Sequence, residues 1–197
     1  MIETTLDDGT AVRLRRLGPD DRDGLAEGYR LLSPESRYQR FWVRTGETIG
    51  EGMLDRILGN DPVNHAVWAV LDPAREYPGV GAGSWWRSRE DPDEAEFSCT
   101  VLDADQRRGV GTLLLAAAWV DAMAAGVRRF VGYTMPENVT AVRWMRDTGA
   151  AAEWDGYKVI FRWNLDDLES IPPTTPGVAL AGRLAELAGR VAAVGGD

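Results

Sequence analysis

The sequence predicts an α/β (α+β) fold, in which a mixed, mainly antiparallel sheet of about seven strands carries helices on both faces. Three observations support this class. Alternating segments that are short enough for strands recur along the chain, helical segments separate some of them, and turn residues separate the others. A connecting helix allows two strands to run parallel, whereas a tight turn makes them antiparallel. We therefore expect both kinds of pairing in one sheet.

Alternation of apolar and polar residues places the predicted strands. They cover residues 11–17, 65–71, 80–87, 96–102, 130–134, 151–154 and 157–164. Helical spacing, together with proline, serine or acidic residues in the first turn, places the helices. These begin near residues 18, 33, 49, 109 and 136. Asp155-Gly156 is a two-residue hairpin signal, so the last two strands are expected to pair directly.

Composition limits the class of function. The 197 residues carry a net charge of −9, which argues against nucleic acid as a partner and is compatible with a cationic substrate. No apolar run is long enough to span a bilayer, and Met1-Ile2-Glu3-Thr4 lacks a signal-peptide pattern. Cys99 is the only cysteine, so we expect neither an internal disulfide nor a metal site. We therefore expect a cytoplasmic protein with no membrane partner.

The composition changes near the end of the chain, which suggests a division into three parts. Residues 1–165 form the predicted main domain, residues 166–177 a proline-rich linker, and residues 178–197 an amphipathic helix. Two glycines weaken that helix, so it is not expected to be stable alone. It is expected to dock on its own domain, pack on a second subunit or remain disordered, and the protein is accordingly a monomer or a homodimer.

The most informative stretch follows the predicted strand at residues 96–102. It opens an apolar helix with Gln106-Arg107-Arg108-Gly109-Val110-Gly111-Thr112. Gly109 and Gly111 let successive N–H groups converge at the positive end of the helix dipole, which is suited to phosphate. Arg107 and Arg108 add positive charge there. The stretch lacks the lysine of a P-loop, and Leu114 stands where a dinucleotide fingerprint needs glycine.

Four features of the sequence resemble the GNAT superfamily of N-acetyltransferases. The order [QR]-x-x-G-x-G at residues 106–111 resembles their acyl-CoA signature, and the predicted order of strands and helices resembles their topology. The block AEFSCTVLDADQRRGVG at residues 95–111 is most similar to the acetyltransferase domain of bacterial Pat-type protein lysine acetyltransferases. The phrase LSPESRYQRFW at residues 32–42 resembles the segment after their first helix.

The resemblance implies acetyl-CoA as the co-substrate and assigns residues to it. The pantetheine arm would pair with the central strand through Cys99, Thr100 and Val101, and a backbone N–H near Val101 would hold the developing oxyanion. The pyrophosphate would lie on the N–H groups of residues 108–112, with Gln106 closing the turn. The acceptor implied by the resemblance is an amine, with a protein lysine side chain preferred.

The next helix carries one match to the family pattern and two departures from it. Asn138 matches the family's asparagine, which contacts the pantetheine or its strand, although an asparagine there can equally serve as an N-cap. Met145 stands where many members carry a tyrosine that protonates the leaving thiolate. Ala150 replaces the usual phenylalanine. We therefore leave the acid that protonates the thiolate unassigned, with Tyr133 and Tyr157 as weak substitutes.

An amine acceptor must lose a proton before it attacks, because an ammonium has no lone pair. Glu96 occupies the place of the catalytic glutamate in the Pat-type pattern and is the predicted general base. Glu94 is the alternative, since a bulge in the strand would exchange the faces of neighbouring residues. Cys99 lacks an identifiable neighbouring base, so a covalent acyl-cysteine is not expected.

Two other functions remain open from the sequence. One is a small-molecule amine acetyltransferase on the same fold. The other is a non-catalytic acyl-CoA-binding module that acts on a partner through its C-terminal helix.

Overall fold

Eight strands form a single sheet in the computed structural model, which describes residues 1–59, 61 and 63–191. The strands are β1 (Ile2–Thr5), β2 (Ala11–Arg16), β3 (His65–Leu71), β4 (Gly79–Arg87), β5 (Glu94–Val101), β6 (Arg129–Thr134), β7 (Ala151–Trp154) and β8 (Val159–Asn164). Their order across the sheet is β1-β2-β3-β4-β5-β6-β8-β7. The predicted fold class is confirmed. The strand that was not predicted is β1, because its four residues are too few to show alternation clearly.

Every neighbouring pair of strands runs antiparallel except β5 and β6, which run parallel. That parallel pairing is short, because it joins only Glu94–Glu96 to Arg129–Val131. Beyond Glu96 the two strands separate while β5 remains paired to β4 as far as Val101. The separation leaves one edge of β5 without a strand partner and opens a cleft in the middle of the sheet.

Six helices cover the sheet within the described residues. They are α1 (Arg22–Leu31), α2 (Pro34–Phe41), α3 (Glu51–Ile57), α4 (Val110–Ala124), α5 (Val139–Asp147) and α6 (Thr175–Leu187). A 3₁₀ turn, Pro19–Asp21, precedes α1, and the Ser33 hydroxyl caps α2 by accepting from the Ser36 N–H over 3.1 Å. No helix in this part of the chain has the length and apolarity needed to cross a membrane.

The core lies between the sheet and α4, whose residues are apolar on every side. Leu113, Leu114 and Leu115 are fully buried. Glycines on β4 allow this close approach, because a Cβ at Gly83 would lie 3.2 Å from the Leu114 Cβ. At that distance a side chain on β4 would push the helix away from the sheet.

A buried carboxylate connects α4 to three strands. Asp121 accepts hydrogen bonds from the indole N–H groups of Trp68 and Trp85, each over 3.0 Å, and forms an ion pair with Arg16. The side chain is almost inaccessible to solvent. Both indole N–H groups are thereby satisfied in a dry environment, and the carboxylate is paired with a charge, where an unpaired charge or N–H would be costly.

The C-terminal helix packs against α4 with its apolar side. Its leucines Leu180, Leu184 and Leu187 are buried in the main core. The helix begins at Thr175, inside the segment predicted as a linker, because Thr174 supplies an N-cap by accepting from the Gly177 N–H over 3.1 Å. Residues 192–197, the end of the predicted helix, lie outside the described residues.

Candidate active site

The separation of β5 from β6 forms a cleft of about 460 Å³. Residues of β5, α2, α5 and the turn before β8 line it. Six of the residues predicted from the sequence line this cleft together: Glu96, Cys99, Thr100, Val101, Gln106 and Asn138. The free edge of β5 is therefore available to an extended ligand that pairs with its backbone.

Alternation along β5 sends its side chains to opposite faces of the sheet. Phe97 is buried under α4, and Cys99 and Val101 pack against the same core. Ser98 and Thr100 point to the other face, where they line the second of the two cavities described below. Burial raises the pKa of the Cys99 thiol to about 11, so the thiol keeps its proton near neutral pH and is a poor nucleophile.

The first turn of α4 forms a set of unpaired backbone donors. The N–H groups of residues 108–112 donate to no acceptor within the part of the chain that the structure describes. Gly109 precedes the helix with φ of +84°, and a Cβ there would lie 2.5 Å from the Asp7 carboxylate. Converging donors at the positive end of a long helix suit a phosphate or pyrophosphate group.

The two arginines beside this turn differ in their roles. The Arg108 guanidinium bonds the Asp8 carboxylate and the Thr10 hydroxyl, each over 2.7 Å, and also pairs with the buried Asp105. These bonds hold the pKa of Asp8 well below its usual range. The charge of Arg108 is thus neutralised within the protein, which corrects the expectation that both arginines present free charge. Arg107 is exposed and has φ of +62°.

Trp144 joins the first turn of α4 to the cleft. Its indole N–H donates to the Thr112 hydroxyl over 3.1 Å, and its ring lies 3.5 Å from the position of a Cβ at Gly111. Trp144 also lines the cleft. The Val110 side chain is buried, so only the backbone of this residue is available to a ligand. No local pattern marks Trp144 as a site residue, because its contact with Thr112 joins two helices that are distant in the chain.

Asn138 caps α5 and also lines the cleft. Its side-chain oxygen accepts from the Ala141 N–H over 3.1 Å, which leaves its amide group for other partners. Met145 lines the cleft in the place of the family's tyrosine. Tyr133 lines the cleft too, and burial, followed by the charges of Glu96 and Glu94, raises the pKa of its hydroxyl. Tyr157 is 71% exposed and does not line the cleft, because β8 begins only at Val159.

A second cavity of about 450 Å³ lies on the face of the sheet that α1 and α3 cover. Most of its lining is apolar, including Leu25, Ile49, Met53, Ile57 and Trp86. The residues that line both the cleft and this cavity are Arg40, Phe41, Glu96, Ser98 and Thr100. The two spaces therefore share one border, which β5 and the end of α2 form.

Glu96 stands on that border and is exposed. It lies opposite Trp86 on β4 and opposite Val131 on β6, at the point where the parallel pairing ends. A carboxylate here reaches both spaces. Glu94 lines neither of them, because it pairs with Arg129 at the start of the strand.

Arg40 stands on the same border and was missed by sequence reasoning. Its Nη2 donates to the Ser98 hydroxyl over 2.8 Å, and the Ser98 and Ser84 hydroxyl oxygens are 3.2 Å apart. Among the described residues no carboxylate oxygen lies within 4.0 Å of its guanidinium. Burial lowers the pKa of Arg40, and the nearby Cys99 and Glu96 oppose that shift. The border thus holds a partly buried positive charge whose side-chain partner is a neutral hydroxyl.

His65 packs against Trp86, which lines the second cavity. The imidazole stacks on Trp86 with ring centroids 3.6 Å apart, and burial lowers its pKa. It lines neither space, so the structure places the single histidine in a packing role.

Comparison with known proteins relates this geometry to one family. Residues 11–151 match the family model described as acetyltransferase (GNAT) domain. The sequence is 29% identical over 137 residues to the acetyltransferase Pat of Mycolicibacterium smegmatis, and the match covers 70% of this chain and 40% of that protein. The chain thus spans less than half the length of this curated relative.

Solved structures show the same likeness. The GNAT domain of PAT from S. lividans superposes with a TM-score of 0.76 at 25% identity, covering 83% of this chain and 96% of that one. The acetyltransferase yncA of Salmonella typhimurium, solved with acetyl-CoA, has a TM-score of 0.63 at 17% identity. That match covers 79% of this chain and 95% of the other, and it shows likeness of fold.

Proposed function

This chain belongs to the GNAT acetyltransferase family, and from that premise we propose that it transfers an acetyl group from acetyl-CoA to an amine. The observation that carries the proposal is the free edge of β5 beside the unpaired N–H groups of α4. One element offers backbone pairing to an extended arm, and the other offers donors to a diphosphate.

The residues of the cleft fit this donor. Cys99, Thr100 and Val101 would present their backbone to the pantetheine arm, and a backbone N–H near Val101 would stabilise the oxyanion. The N–H groups of residues 108–112 would hold the pyrophosphate, while Gln106 and Asn138 border the cleft between them. No metal ligand is needed for this transfer, since the donors supply the charge stabilisation.

Glu96 is the proposed general base. The acceptor ammonium gives a proton to the Glu96 carboxylate, directly or through one water, and the freed lone pair attacks the thioester carbonyl. A C–N bond forms first and gives a tetrahedral oxyanion, and the nitrogen then releases its second proton to water. When the oxyanion collapses, the C–S bond breaks and its electron pair leaves on the thiolate. The position of Glu96 on the border of both spaces supports this role, because it faces the donor and the acceptor at once.

The leaving thiolate takes its proton from water in this proposal. Met145 cannot supply one, and the Cys99 thiol and Tyr133 hydroxyl both have raised pKa values. A thiolate is a stable enough leaving group to depart without a strong acid, because thiols ionise near pH 8.5.

We propose a protein lysine side chain as the acceptor, on the likeness to the Pat proteins. The second candidate is a small-molecule amine, which the largely apolar second cavity favours. A purely acyl-CoA-binding module is the remaining alternative. Both enzymatic candidates need the same donor and the same base.

The test is turnover of acetyl-CoA with a panel of amines, read as release of free CoA. Wild-type protein is expected to turn over, and Glu96→Gln is expected to lower kcat by about 100-fold or more, since positioned bases contribute about 10² to 10⁴. Glu169→Gln is the matched control, because Glu169 is exposed and lines neither space. Glu94→Gln separates the alternative base from Glu96.

The acceptor class is tested in lysates of a deacetylase-deficient host. The protein is incubated there with acetyl-CoA, and acetyl-lysines are mapped by mass spectrometry for wild type and Glu96→Gln. Sites that need Glu96 support a protein acceptor. Turnover of a small amine without such sites supports the second candidate, and binding of acetyl-CoA without any turnover supports the binding module.

A further inference from the structure

The second cavity contains a positive charge for which the proposed transfer has no use. Arg40 extends from the end of α2 to the border of the cavity, where its Nη2 bonds the neutral hydroxyl of Ser98. A guanidinium has five N–H donors, and one of them serves this bond. The guanidinium is partly buried at this contact, and a charge withdrawn from water is costly unless it is paired or binds a ligand.

The other arginines around the cavity are engaged elsewhere. Arg15 pairs with Asp21 over 2.8 Å, and Arg56 is exposed and lies over the ring of Trp86, with its guanidinium carbon 5.4 Å from the ring centroid. Arg40 is therefore the arginine on the shared border that lacks a carboxylate partner among the described residues.

We propose that Arg40 binds a carboxylate of the amine acceptor, so that the second cavity selects amines that carry a carboxylate and an apolar body. This inference rests on the proposed function and deepens it. A guanidinium forms two parallel hydrogen bonds with a carboxylate, which adds orientation to affinity. The carboxylate binds Arg40, the amine faces Glu96, and the apolar body lies along Trp86 and its apolar neighbours.

Two sources share this chemistry. A free amino acid has its amine and carboxylate on one carbon, whereas a protein lysine would need an acidic residue beside it. Both acceptors carry a carboxylate near the reacting amine. Arg40 and Glu96 line the same border, so the carboxylate could bind Arg40 while the amine faces Glu96.

The experiment compares acceptors that differ only in the carboxylate. L-phenylalanine is measured against phenethylamine, L-leucine against 3-methylbutylamine, and a capped Asp-Lys dipeptide against its Asn-Lys counterpart. We expect kcat/KM to favour the carboxylated member by about 10-fold or more, because a hydrogen-bonded charge pair is worth that much. If the carboxylated member is preferred in the amino-acid pairs, the acceptor is a small molecule. If it is preferred only in the dipeptide pair, the acceptor is a protein.

Arg40→Met tests the assignment to this residue. The ratio of kcat/KM between carboxylated and uncarboxylated partners is expected to fall by about 10- to 100-fold, while the uncarboxylated amine loses much less. Arg128→Gln is the matched control, since Arg128 pairs with Asp166 on the surface over 2.9 Å and lines neither space. An equal loss for both partners would mean that Arg40 serves the transfer itself, and this overturns the proposal.

A binding measurement keeps the inference independent of turnover. The products N-acetyl-L-phenylalanine and N-acetylphenethylamine are titrated into protein saturated with CoA. The carboxylated product is expected to bind at least about 10-fold more tightly to wild type, and the difference is expected to vanish in Arg40→Met. Equal affinities in wild type contradict the inference even if no amine is turned over, whereas failure of acetyl-CoA to bind contradicts the proposed function.

Discussion

Trp144 donates from its indole Nε1 to the Thr112 hydroxyl over 3.1 Å, and this bond joins α5 to the first turn of α4. The same ring lies beside Gly111, next to the unpaired N–H groups of that turn. The N–H groups that we propose as donors to a diphosphate therefore contact a helix that begins more than twenty residues later in the chain.

Trp144→Phe removes the hydrogen bond and keeps an aromatic ring against Gly111. We expect the Kd for acetyl-CoA to rise by about 3- to 10-fold, since one neutral hydrogen bond is worth roughly 1 kcal/mol. Isothermal titration calorimetry measures this change. Trp154→Phe is the matched control, because Trp154 lies on the edge strand β7 and is 56% exposed. An unchanged Kd in Trp144→Phe would contradict the positioning role.

Asp121→Leu tests the buried connection between α4 and the sheet. The substitution leaves Arg16, Trp68 and Trp85 without their shared acceptor. We expect a loss of about 3–5 kcal/mol in the free energy of unfolding, as for other buried pairs that lose one member. Urea denaturation measures it. Asp166→Asn, in an exposed pair with Arg128, is expected to change stability by less than about 1 kcal/mol.

The C-terminal helix is expected to contribute to stability rather than to the cleft. Truncation after Leu165 removes the buried leucines of α6 and exposes the side of α4 they cover. We expect a lower Tm for the truncated protein, and about 2–5 kcal/mol of destabilisation for the milder Leu184→Ala. Leu168→Ala is the control, since Leu168 is 55% exposed. Loss of acetyl-CoA binding in a folded truncated protein would show that α6 completes the site.

The Cys99 thiol lines the cleft, and its ionisation is expected to make both protein stability and the rate of thiol alkylation depend on pH. Burial raises its pKa to about 11, so the folded protein holds this proton after the unfolded chain has released it. Stability is therefore expected to fall as pH rises from about 9, where the unfolded thiol ionises, to about 11. Alkylation by iodoacetamide should be slow at pH 8 and rise about tenfold per pH unit. A rate that levels off below pH 9 would contradict this assignment.

The part of the site that could be predicted from the sequence is the part whose residues are neighbours in the chain. The alternation of β5 and the glycines of residues 106–112 encode a strand followed by a phosphate-binding turn, since backbone geometry there depends on neighbouring residues. Glu96 and Asn138 were identified through the family pattern. The structure brings them to one cleft.

The remaining features depend on packing between distant elements. Arg40 reaches Ser98 across 58 positions of sequence, and no local pattern marks an arginine for such a contact. The engagement of Arg108 by Asp8 and Asp105 was missed for the same reason. Tyr157 was assigned to a strand because it continues the alternation of β8, whereas the Asp155 side chain holds it in the turn by accepting from its N–H over 2.9 Å.

The central claim is that the first turn of α4 binds the diphosphate of acetyl-CoA, and Gly111→Asp tests it most directly. Aspartate suits the first turn of a helix, so the variant is expected to stay folded, and Gly111→Ala is the matched control because its Cβ would only touch Trp144 at 3.5 Å.

The measurement is the Tm with and without acetyl-CoA, CoA, ATP or NAD. We predict that acetyl-CoA and CoA raise the Tm of wild type and of Gly111→Ala, that ATP and NAD do not, and that Gly111→Asp shows no shift because its charge repels the diphosphate. A shift with ATP alone, or an undiminished shift with acetyl-CoA in Gly111→Asp, would contradict the account.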